Sequence, residues 1–220
     1  MSKRALMISV LGLLFGVLAH GSAPVWVIDL NDVIEASSAR YLSDSLEKAR
    51  TSDVPLVVLR IDTPGGWMDS TRDIVKDILA SPVPVAAYVS PEGASATSAG
   101  TYIVYASHVA AMAPATNIGS ATPVRGDGEA MEPNMERKVV NDAVAQMRGY
   151  AELRGRNIDW AEKTVREATN LTASEALEQN VIDVMASDIG GLLAKVDGMT
   201  LTTKAGSVTL ATEGSEHEII

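Results

Sequence analysis

The chain contains no cysteine, a single phenylalanine and only three histidines among its 220 residues. The first absence excludes disulfide staples, thiol catalysis and cysteine-ligated metal. No other spacing resembles a metal site, and nothing calls for a cofactor. The one phenylalanine, Phe15, lies in the first 23 residues, so the core downstream is expected to be aliphatic. Basic residues are scarce too: 18 stand against 28 acidic ones, and the formal net charge of −10 argues against nucleic acid as a partner. After residue 23 no segment is apolar for the roughly 20 residues that a bilayer span needs.

The N-terminus reads as a secretory signal over 1–23. Lys3 and Arg4 form its positive start, Ala5 to Ala19 its apolar centre, and His20-Gly21-Ser22-Ala23 its small, polar exit. Cleavage after Ala23 would leave Pro24 first, and Ala19-His20-Gly21 offers a second site. The expected location is therefore exported, periplasmic or extracytoplasmic. Residues 24–220 form one expected domain, with a β-hairpin tail over 199–220.

Within that domain strand and helix patterns alternate. Val25 to Leu30, Pro55 to Ile61, Val83 to Val89 and Val109 to Ala113 read as strands; Ser38 to Arg50, Met68 to Leu79 and Ala99 to Ser107 read as helices. Downstream, helices are expected over Glu136 to Leu153, Trp160 to Ala168 and Ile189 to Val196, after a polar loop from Pro123 to Met135. Thr172-Ala173-Ser174-Glu175 reads as a capping box, and Val181 to Met185 as a short strand. This order predicts an α/β fold with a mostly parallel sheet and flanking helices.

Chemistry is expected where Gly93-Ala94-Ser95-Ala96-Thr97-Ser98-Ala99-Gly100-Thr101-Tyr102 joins a strand to a helix. An abrupt turn of this kind presents a hydroxyl at a helix N-terminus, where free N–H groups favour developing negative charge. Histidine is a poor base here. His217 lies in the polar tail, and His108 follows Ser98 at the far end of the same helix, about 15 Å along its axis. The base is then a lysine or a carboxylate. Lys138 stands out from the other lysines because it opens a long helix before Val139 and Val140 and can point back into the fold. The turn Asp62-Thr63-Pro64-Gly65-Gly66 reads either as a tight connection or as a place where a backbone N–H can meet a reacting oxygen.

Taken in order, Asp62-Thr63-Pro64-Gly65-Gly66, the serine loop, and Met112-Ala113-Pro114-Ala115-Thr116-Asn117-Ile118-Gly119-Ser120-Ala121 resemble the NfeD family of membrane-associated serine proteases, the stomatin-operon proteases. The likeness runs from about residue 24 to 200 and takes in Lys138-Val139-Val140-Asn141 and Gly155-Arg156-Asn157. It implies a fold related to Clp protease (ClpP), signal peptide peptidase A and the crotonases. It also implies a Ser–Lys dyad that hydrolyses peptide bonds through an acyl-enzyme. Ser98 matches the nucleophile, Ser95 a structural position, Lys138 the general base, and Gly66 and Ala99 the oxyanion donors. The implied substrate is a hydrophobic segment of a stomatin-like membrane protein, and a homodimer is implied as well. Trp67, Met68 and Ile118 flank the site as candidate walls of an apolar groove.

Longer family members continue into transmembrane helices and a small C-terminal OB-fold barrel, neither of which follows Ile220 in this sequence. Two other readings stay open. One is a catalytically inactive module that holds a membrane-protein segment in the same groove. The other is a crotonase-like acyl-CoA enzyme, against which the export signal argues.

Overall fold

The computed structural model describes residues 23–127 and 129–220, so the expected signal lies outside it apart from Ala23. β1 (Val25–Asn31), α1 (Ala36–Arg50), β2 (Val57–Asp62), α2 (Met68–Ala80) and β3 (Val85–Val89) alternate first. They are followed by β4 (Ser95–Thr97), α3 (Ala99–Ala106), β5 (Val109–Met112) and β6 (Asn117–Gly119). Then come α4 (Pro133–Arg154), α5 (Ile158–Arg166), β7 (Asn170–Thr172), α6 (Ala173–Glu178), β8 (Val184–Met185) and α7 (Ile189–Val196). The chain closes with β9 (Thr200–Thr203), β10 (Gly206–Thr209) and β11 (His217–Ile219).

A six-stranded sheet in the order β11-β1-β2-β3-β5-β8, parallel throughout, forms the centre. Its strands are apolar on both sides because both faces are covered. Ile28, Leu30, Val57, Leu59, Ile61, Val85, Ala87 and Val89 point to one side, into a core shared with α1 to α5. The alternate residues Val25, Val27, Val58, Ala86 and Tyr88 face Leu192, Leu193 and Val196 of α7 and Leu201 of β9. The core is not purely aliphatic. Tyr88, Tyr102 and Tyr105 supply the aromatic bulk, each donating its hydroxyl to a backbone carbonyl, of Ala186, Ala121 and Asn157 respectively.

Three differences from the sequence reading have plain causes. A second sheet, β4-β6-β7, is made of three-residue strands too short to carry a period. α4 starts at Pro133, ahead of Glu136, because Glu132 accepts the Met135 N–H and Pro133 fills the first turn, where no N–H is needed. The hairpin expected over 199–220 is confined to Thr200–Thr209; His217 to Ile219 instead pair parallel with Val25 to Val27 and cover the open edge of β1. The Thr172–Glu175 capping box forms as read.

His108 is buried, and its Nδ1 accepts the Val85 N–H at 3.2 Å. Burial, reinforced by Arg154 and Arg156, pushes its pKa down from 6.5 to about 3. Between those values the unfolded chain binds a proton that the folded chain refuses. Stability is therefore expected to fall as pH drops from 6.5 toward 3. His108→Gln, which can still accept from Val85, should flatten that part of the profile in urea melts. An unchanged slope would contradict the assignment.

Candidate active site

Ser98 caps α3 with φ = 52° and ψ = −110°, a backbone conformation that costs a residue with a Cβ about 1–3 kcal/mol. It is held there from both sides. Its N–H donates to the Gly119 carbonyl at 2.9 Å, and its own carbonyl accepts the Thr101 N–H at 2.9 Å. The buried Thr101 hydroxyl reinforces the turn, lying 2.9 Å from both the Ala96 and the Gly119 carbonyls. Ser98 is half-buried, and its Oγ has no hydrogen-bond partner among the described residues.

The glycine turn comes up against this serine. A Cβ on Gly65, whose φ is +126°, would stand 2.9 Å from Ser98 Cβ and 3.3 Å from Oγ. A Cβ on Gly66 would sit 2.1 Å from the Ile34 carbonyl oxygen, so neither position has room for a side chain. Ile34 donates its N–H to the Gly65 carbonyl at 2.8 Å and accepts that of Trp67 at 2.8 Å. Because the peptide is trans, the Gly66 N–H points opposite to the Gly65 carbonyl and so away from Ile34, and Gly66 lines a cleft together with Ser98. Ala99 is the first residue of α3, where an N–H has no acceptor within the helix. Ser98, at the N-terminus of α3, and Gly66 thus line one cleft.

The cleft has a volume of about 380 Å³. Val33, Trp67, Met68 and Val124 make its apolar walls. Trp67 is 59% exposed, and Gly126 lies flat on its indole: a Cβ there would meet the ring at 2.6 Å. Val33 and Val124, both exposed, were not foreseen; an apolar residue inside the polar loop was the only signal for Val124. Ile118 corrects the sequence reading. It is the middle residue of β6, fully buried in the core, and offers a substrate no surface.

Lys138 is not where the sequence reading put it. It is exposed, has no partner among the described residues, and does not line the Ser98 cleft. α4 packs against α3, and Arg154 Nε donates to the Ala106 carbonyl at 2.9 Å. No residue of α4 before Ala143 is buried, and an exposed 2.6 Å ion pair from Asp142 to Arg72 ties this stretch to α2. Ser98 and Gly66 line the cleft; Lys138 does not.

Known proteins share the sequence pattern and the fold. Residues 24–195 match the family model of the NfeD1b N-terminal domain. The chain is 39% identical over 173 residues to the membrane-bound protease PH1510 of Pyrococcus horikoshii, covering 76% of this chain and about two fifths of that protein's length. Two solved structures of the 1510-N membrane-bound stomatin-specific protease share the fold at 34% identity. A serine-to-alanine variant has a TM-score of 0.84 and covers 91% of this chain and 98% of that one. A lysine-to-alanine variant in complex with a substrate peptide has a TM-score of 0.83, covering 92% and 93%. With its Clp-protease-like parallel sheet, its helix-capping serine and a family match across most of its length, this chain belongs to the NfeD family.

Proposed function

We propose that this domain is a serine endopeptidase in which Ser98 is the nucleophile, Lys138 the general base, and the N–H groups of Gly66 and Ala99 the oxyanion donors. The observation that carries the reading is the unfavourable backbone of Ser98, which holds its hydroxyl against the Gly65 turn in the cleft that Gly66 also lines. The named relatives, with their serine and lysine variants, support the same dyad.

In this reading neutral Lys138 takes the Ser98 proton as Oγ attacks the scissile carbonyl, and the two amides receive the oxyanion. The ammonium then protonates the leaving amine, freeing the first product. A water gives its proton to Lys138 and attacks the acyl-enzyme, and the ammonium returns that proton to Ser98 Oγ as the second product leaves. For this, Lys138 must come down to the cleft. The first turn of α4, from Pro133 to Glu136, is exposed throughout, and packing against the core begins with the partly buried Val140.

The substrate we propose is an apolar peptide segment, in keeping with Val33, Trp67, Met68 and Val124, and by analogy with the stomatin-specific relatives a segment of a stomatin-like membrane protein. Export is carried forward from the signal-like residues 1–23, and association with a membrane and a homodimer from the family likeness. No helix among the described residues is long and apolar enough to cross a membrane. The exposed Lys138 favours one alternative, an inactive module that only holds peptides.

Labelling by a fluorophosphonate separates the two. The wild type is expected to take the label, and adding an apolar peptide should speed it if α4 closes on substrate. Lys138→Arg is expected to be inactive, because arginine keeps its proton. A wild type that binds peptide yet never labels would support the inactive module.

A further inference from the structure

Thr63 is 1% exposed, and its side chain stands where four segments meet behind the glycine turn. Its hydroxyl donates to the Asp32 carbonyl at 2.5 Å and accepts the Gly65 N–H at 3.1 Å. The Gly65 carbonyl, also 3.1 Å away, is a second acceptor. On the backbone, the Thr63 N–H donates to the Ser95 carbonyl at 2.7 Å, and the Thr63 carbonyl accepts the Thr97 N–H at 3.1 Å. Its Cγ2 methyl is the atom that a Cβ on Gly100 would meet first, at 2.8 Å, so it also packs on the start of α3. One residue joins the loop after β1, the glycine turn, the strand before Ser98 and the helix after it.

We infer that Thr63 is a positioning residue for the oxyanion hole. Gly65 sits between two peptides, and each is pinned. The hydroxyl of Thr63 holds its N–H, and the Ile34 N–H holds its carbonyl at 2.8 Å. With both held, the left-handed φ of Gly65 has one value, and the Gly66 N–H has one direction, opposite to the carbonyl that Ile34 binds. Without the hydroxyl, the buried Gly65 amide loses its acceptor and the turn is free to rotate. Rate then falls because an oxyanion donor has moved, although no atom that touches substrate has been removed.

The catalytic readout of this inference rests on the hydrolase reading; its structural readout does not. Thr63→Val keeps the methyl packing and removes the hydroxyl. Thr63→Ser keeps the hydroxyl and removes the methyl. Thr63→Val is expected to lower kcat and the rate of fluorophosphonate labelling by about 10²-fold at unchanged KM, the scale of a misplacement near 1 Å. Thr63→Ser is expected to restore both. In amide NMR spectra the Gly66 resonance should shift or broaden in Thr63→Val and return in Thr63→Ser. A Thr63→Val enzyme with wild-type labelling and an unmoved Gly66 amide overturns the inference, as does a Thr63→Ser enzyme as slow as Thr63→Val. If the wild type itself takes no label, the hydrolase reading fails and the Gly66 amide alone decides the role of Thr63. Should Thr63→Val not fold, hydrogen exchange decides it: the Gly65 amide must be protected in the wild type and in Thr63→Ser, and rapid exchange in either overturns the assignment.

Discussion

Ser98→Ala is expected to abolish peptide cleavage and fluorophosphonate labelling while leaving the fold as stable as before. The rate loss should be on the order of 10⁶, the scale seen when a nucleophile is removed from a comparable acyl-transfer site. Stability should change little, because alanine carries the same Cβ at φ = 52° and the lost hydroxyl has no hydrogen-bond partner among the described residues. The backbone bonds that hold the turn, to Gly119 and from Thr101, do not involve the side chain. Measuring turnover of an apolar peptide together with the melting temperature separates loss of chemistry from loss of fold. A variant that still cleaves at the wild-type rate would put the nucleophile elsewhere. One that melts far lower would mean the hydroxyl is part of the scaffold.

The second large effect is on stability and comes from the opposite end of the same helix. The Arg156 side chain is 1% exposed. Its Nη1 donates to the carbonyls of Val104, Tyr105 and Ser107, and its Nη2 to the Asp183 carboxylate at 2.7 Å. These carbonyls lie at and just past the C-terminus of α3, where a cation is favoured. Arg156→Met fills a similar volume but takes the guanidinium from three carbonyls and from the Asp183 carboxylate, which keeps only its bond from the Ala110 N–H at 2.7 Å. Breaking a buried pair from one side costs about 3–5 kcal/mol, and that is the loss expected in urea melts. Arg156→Lys should recover only part of it, because a single ammonium cannot match the fork of a guanidinium. A loss below about 1 kcal/mol for the methionine variant would refute the anchoring role.

The framework and the sharp turn into α3 at Ser98 were legible because both are local. Valine- and isoleucine-rich runs between amphipathic helices marked the strands of a mostly parallel sheet, although not their order, and the two adjacent glycines marked a tight connection. The position of Lys138 was not legible. Whether a lysine on the first turns of a helix points inward depends on how far that helix projects past its neighbours, and Glu132 and Pro133 carry α4 beyond the packed body. Ile118 misled because an apolar residue in a Gly- and Asn-rich stretch reads equally as a groove wall or as the centre of a short strand. Arg156 was noted only as part of a motif, and Thr63 only as part of a turn; their roles depend on contacts with Asp183 and Asp32, far away in sequence.

The conformation of Ser98 also has a consequence for how such a domain changes under selection. Glycine at this position would relieve about 1–3 kcal/mol of backbone strain and give back only part of it through a freer unfolded chain. A population screened for heat resistance alone would therefore drift to glycine at residue 98 and lose its hydroxyl in doing so. Only a demand for turnover would keep the serine in place.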